Sequence, residues 1–113
     1  MKQGKKYTLS PYPFWVRVFT DAEAYAEYTG QPPDKDAVGE SSADEASYVM
    51  YLGPQANPGV VAHECIHICV WCLGTVGIDV RESNAEALTY LVEHLMTRIL
   101  KDHPEILLRK EPK

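Results

Sequence analysis

The chain has no apolar run long enough to cross a bilayer. Its longest, ending near Leu73, is broken by His63, Glu64 and His67, whereas a spanning helix needs about 20 predominantly apolar residues. No membrane segment is expected. No secretory signal is expected either, since Lys2-Gln3-Gly4-Lys5-Lys6-Tyr7 leads into no apolar stretch. Nor is there any surplus of positive charge. Eleven Lys and Arg stand against sixteen Asp and Glu, a formal net charge of −5, so no basic face is available to neutralise phosphates and a nucleic-acid partner is excluded. The basic clusters (Lys2, Lys5, Lys6 and Arg109, Lys110, Lys113) read as solvated chain ends. Cysteine is scarce and confined to Cys65, Cys69 and Cys72. Side by side on one helix, these thiols lack the geometry for a disulfide. Reduced thiols and a cytoplasmic setting follow.

The 113 residues suffice for one domain with a single modest core. Residues 1–11 are polar, run into Pro11 and Pro13, and read as a tail or irregular lead-in. Phe14 to Phe19 is rich in β-branched and aromatic side chains and predicts a strand. Thr20-Asp21-Ala22-Glu23 resembles a capping box that opens a short helix to about Tyr28, stopped by Gly30 and Pro32-Pro33. Residues 30–46 are acidic and turn-rich, a loop with a short strand near 37–40. Ser47 to Leu52 predicts a second clear strand, and the two suggest a small antiparallel sheet.

Asn57-Pro58 is a helix start, with Asn at the cap and Pro at the first helical position. The helix should run from Pro58 to about Leu73 or Val76. Ser83-Asn84-Ala85-Glu86 opens the last long helix, to about Lys101, ended by His103-Pro104. Residues 105–113 read as a charged tail with an apolar patch, Ile106-Leu107-Leu108, able to dock back. The expected class is α+β: a short antiparallel sheet packed on the 58–73 helix and on a second long C-terminal helix.

Within the first long helix, His63, Glu64 and His67 spell H-E-x-x-H, a pattern that binds zinc in metallopeptidases. Residues four apart share a helix face, so both imidazoles can reach one Zn²⁺, with Glu64 placed to take a proton from a metal-bound water. At about 100° per residue, His63, His67 and Gly74 share one face and the three cysteines lie opposite. The helix is apolar almost all round, which predicts a buried, central position. Two buried imidazoles and a carboxylate would be costly without partners, and zinc is a natural one. The alternative is two satisfied core histidines with a chance Glu between them. For the cysteines, packing as small hydrophobes is the expected role.

A catalytic zinc commonly takes three protein ligands and leaves one position for water. The metzincin extension would need Gly at position 70 and His at position 73, where this chain has Val70 and Leu73. Asp79 follows Gly74-Thr75 one residue too late for an aspzincin-like pattern. Eighteen residues separate His67 from Glu86, and Asn84 lies two positions before it. On these residues the chain resembles a minimal gluzincin-like zincin over roughly 47–101, although the Asn of those motifs is adjacent to the Glu. Over most of its length it also resembles short zinc metallopeptidases predicted in phage and prophage genomes. The resemblance implies Glu86 as third ligand on the second helix. Against this, Ser83-x-x-Glu86 is itself a capping box, and Glu82, Asp79 and Glu93 are alternative carboxylates.

The expectation is therefore a Zn²⁺-dependent peptidase or other amide hydrolase. Its metal ligands would be His63, His67 and Glu86, with Glu64 as general base and the substrate a peptide or protein. Tyr90 is a candidate oxyanion donor, with His94, Tyr48 and Tyr51 behind it. By the same resemblance, Ser47–Leu52 would be the edge strand that pairs with an extended substrate. If the chain is phage-encoded, its setting is the host cytoplasm. The rival is a zinc-binding protein that cuts nothing efficiently and acts through protein contacts. Nothing in the sequence sets an oligomeric state.

Overall fold

The structure, a computed structural model, describes residues 4–43, 47–80 and 85–109. It is α+β, with three layers. The elements are β1 (Lys5–Thr8), β2 (Trp15–Phe19), α1 (Ala22–Thr29), β3 (Gly39–Ala43), β4 (Ser47–Leu52), α2 (Pro58–Thr75), α3 (Ala85–Asp102) and a 3₁₀ turn at Pro104–Leu108. The four strands form one mixed sheet in the order β1-β2-β4-β3. No helix among the described residues is long and apolar enough to cross a membrane.

Period-two alternation divides the sheet. Tyr7, Val16, Val18, Tyr48, Met50 and Leu52 point to the face covered by α2 and α3. Phe19, Val49 and Tyr51 point to the other, where Tyr25 of α1 packs on them. The i, i+4, i+8 series Leu91, Leu95 and Ile99 of α3 is fully buried against the first face. Each such side chain contributes about 1.5–3 kcal/mol of burial free energy. α1 begins at Asp21, whose carboxylate accepts the Ala24 N–H. The cap is one residue later than Thr20. Gly30 ends the helix in the left-handed region at φ 86°, where a Cβ would be strained.

Two expectations are corrected. β2 and β4 pair parallel, Val16 beside Tyr48 and Val18 beside Met50. A parallel pair needs a long crossover, and the stretch between the two strands, which contains α1, provides one. Residues 5–8 are no tail: Lys5-Lys6-Tyr7-Thr8 forms β1 antiparallel to β2, and Tyr7 and Leu9 are buried. Tyr7 donates to Asp102 Oδ2 at 2.7 Å, tying this strand to the end of α3. At the other end, Ile106 docks into the main core while Leu107 and Leu108 stay exposed. Ser83, the capping residue of the Ser83-x-x-Glu86 box, and Glu82 fall on residues outside those described.

Candidate functional site

α2 starts as its sequence requires. Asn57 Oδ1 accepts the Val60 N–H at 3.0 Å, and Pro58 takes the first turn. Val61, Cys65, Ile68, Cys69, Cys72 and Leu73 face the core, and all three cysteines are fully buried free thiols. Burial pushes Cys72 up to about 11 and Cys69 up to about 12. No thiolate is available there at neutral pH, so the packing role holds.

The opposite face is not buried. His63, His67 and Gly74 lie in solvent, with Ile66 and Trp71 exposed beside them. This corrects the expectation of a helix enclosed all round: α2 rests on the sheet and α3 and leaves its third side open. Exposure removes any desolvation cost from the imidazoles, so burial gives no reason for a metal. The side-chain geometry gives a different one. His63 and His67 turn their Nε2 atoms toward each other at 3.2 Å, with ring centroids 4.7 Å apart and planes at 79°. Two nitrogens about 2.0–2.1 Å from a tetrahedral zinc stand about 3.3–3.4 Å apart. The pair therefore fits the ion at two coordination positions. In the metal-free chain, one Nε2–H donating to the other accounts for the contact.

Glu64 is the buried polar member, 5% exposed. Its Oε1 accepts a short hydrogen bond from Ser41 Oγ on β3. Glu64 and His63 together line an open depression of about 390 Å³ walled by Val38, Gly39, Asn57 and Val60. Gly39 lets β3 come this close. A Cβ there would stand 2.8 Å from Val60 Cγ1 and 3.3 Å from Glu64 Cγ.

β3, not β4, is the edge strand. β4 lies between β2 and β3 with both edges paired, so Ser47–Leu52 cannot receive a peptide. Gly53 N–H donates to Val38 O at 2.8 Å, which fixes the alternation of the β3–β4 ladder. Val38, Glu40 and Ser42 bond inward, and Gly39, Ser41 and Ala43 direct backbone N–H and C=O outward. The residues whose side chains face α2 thus also carry the open backbone groups.

The remaining candidates stand apart from the pair. Among the described residues, no three His, Cys, Asp or Glu side chains gather where a metal ion could sit, so the structure does not bring Glu86 to the two imidazoles. Glu86 is exposed on the first turn of α3. Glu93 lines a separate, mainly apolar groove between α2 and α3. Tyr90 is 63% exposed and stacks on His94 on the solvent side of α3. Tyr51 lies on the far sheet face beside Tyr25, and Tyr48 is buried beneath Trp71. Ser41 and Gly39 are the neighbours that sequence reasoning missed. The alternation of Gly39, Ser41 and Ala43, all small and two apart, was the available signal. No protein-family model matches this chain, and no curated protein or solved structure matches it either.

Proposed function

We propose that the protein is a zinc-dependent hydrolase of peptide or other amide bonds, with His63 and His67 holding the ion and Glu64 as general base. The observation that carries this reading is the convergence of the two Nε2 atoms at 3.2 Å beside a buried carboxylate. A metal-free histidine pair has no need of Glu64, whereas water activation does. Zinc bound there would supply a Lewis acid and a water whose pKa lies near neutrality. Glu86 is the third donor singled out by spacing. It forms no ion pair among the described residues and must swing toward the pair to ligate.

The chain's own residues then have separable tasks. Ser41 Oγ–H holds Glu64 Oε1, which fixes the carboxylate's orientation and leaves Oε2 for the proton. Glu64 takes that proton from the attacking water and hands it to the leaving amine. The outward N–H and C=O groups of Gly39, Ser41 and Ala43 suit an extended peptide added as a further strand. Such a strand would run along the same side of α2 as Glu64. The buried, unpaired thiols fit a reducing, cytoplasmic setting.

The test is cleavage of a peptide library by zinc-loaded wild type and by Glu64→Gln. Removing the base should lower turnover by about 10²–10⁴-fold with zinc content unchanged. Equal turnover in the two proteins, or none in either, contradicts the assignment.

A further inference from the structure

Ring contacts connect the core to His67 through Trp71. Their base is Tyr48 of β4, 3% exposed, whose hydroxyl shares a 3.3 Å hydrogen bond with Thr75 Oγ1. Thr75 Oγ1 in turn donates to Trp71 O at 2.8 Å. Trp71 lies over Tyr48 with centroids 6.5 Å apart and planes at 21°. It also meets the His67 ring, at 5.7 Å and 26°. His67 is therefore an exposed residue with one ring face held by a partner that is itself anchored in the core.

Metal-binding histidines are ordinarily oriented by a hydrogen bond from the second ring nitrogen to a carboxylate or carbonyl. Among the described residues, neither His63 nor His67 makes such a bond; their only protein hydrogen bond through the ring is the one to each other. An exposed histidine without that bond would be free to rotate about χ2, and the two Nε2 atoms would then meet only part of the time. Stacking on Trp71, one helical turn further on, restricts that rotation.

We propose that Trp71, braced by Tyr48, is a positioning residue for His67: it holds the imidazole in the plane that points Nε2 at a shared transition-metal ion with His63. The inference rests on the metal reading above. The stack replaces the missing hydrogen bond as the feature that preorganises the ligand pair.

Trp71→Phe and Trp71→Leu separate stacking from bulk, because the first keeps an aromatic ring and the second keeps only apolar volume. Zinc affinity is measured by competition with a chromophoric chelator, and thermal melts establish that each variant is folded. The His67 ring-proton shifts are recorded without metal. Phe should stay within about threefold of wild type, while Leu should bind zinc at least about tenfold more weakly. The ring-current shift of the His67 protons should persist in Phe and vanish in Leu. A folded Leu variant that binds zinc as tightly as wild type overturns the positioning role while leaving the metal reading intact. A wild type without zinc affinity overturns both.

Discussion

Replacing Gly39 with alanine probes the contact on which the site is built. The new Cβ would stand 2.8 Å from Val60 Cγ1, 3.3 Å from Glu64 Cγ and 3.3 Å from the Tyr51 carbonyl oxygen. The first distance is too short for two carbons, and the third neighbour is backbone. β3 or α2 must therefore shift by several tenths of an ångström. Overpacking of this kind costs about 1–3 kcal/mol. The reduced freedom of the unfolded chain returns about 0.4–1 kcal/mol. The net expectation is a loss of about 0.5–2 kcal/mol, read by urea denaturation. At roughly 3–6 °C per kcal/mol, thermal melting reports the same loss. Gly74→Ala is the matched control. It lies in α2 with nothing within 4 Å of its added Cβ, so it should gain up to about 0.5–1 kcal/mol. Opposite signs in the two variants are the expected result. If Gly39→Ala stabilises as much as Gly74→Ala, β3 does not lie over Glu64 and the site's geometry is wrong.

The cysteines should be silent in the native state: a thiol reagent at pH 8 labels none of the three until the protein is unfolded, and rapid native labelling would contradict their burial. Their raised pKa values carry a stability consequence. The contribution is fully present below the ordinary thiol value of 9.0 and is lost as pH rises toward about 11 for Cys72 and about 12 for Cys69. Alkaline unfolding should therefore be delayed in a folded Cys72→Ala variant relative to wild type. Leu9→Ala, at a fully buried position beside β1, should cost about 2–5 kcal/mol. Leu108→Ala, at a position 85% exposed, should stay within about 0.5 kcal/mol; equal effects in an unfolding assay would show that the two chain ends are misassigned.

Much of the fold was legible where local chemistry decides it. Asn57-Pro58 starts α2, and Ser47–Leu52 is the strand its Tyr, Val and Met predict. The facial arithmetic that set the cysteines opposite the histidines agrees with the burial found. What stayed hidden depends on partners distant in sequence. Lys5-Lys6-Tyr7-Thr8 carries little strand signal of its own and becomes a strand because β2 offers it an edge. Around β3 (Gly39–Ala43) the sequence offers only a short strand near 37–40 inside a turn-rich loop, since an edge strand need not be apolar. That obscured which strand stands beside the candidate site. The enclosed helix was a misreading of composition. An apolar residue such as Ile66 or Trp71 can remain on the surface, and the sequence does not say which side of α2 goes uncovered. Glu86 shows the limit of spacing, because a register of eighteen residues does not by itself carry a carboxylate across to two imidazoles.

The most direct measurement is zinc content. Wild type, His63→Ala and His67→Ala should each be purified without chelator from zinc-supplemented medium and assayed by inductively coupled plasma mass spectrometry. Because a catalytic zinc site holds a single ion, about one zinc per chain is expected in wild type, with most of it lost in each variant while the far-ultraviolet circular dichroism is unchanged. A wild type free of zinc, or variants that keep it, would contradict the assignment of His63 and His67 as a metal-binding pair.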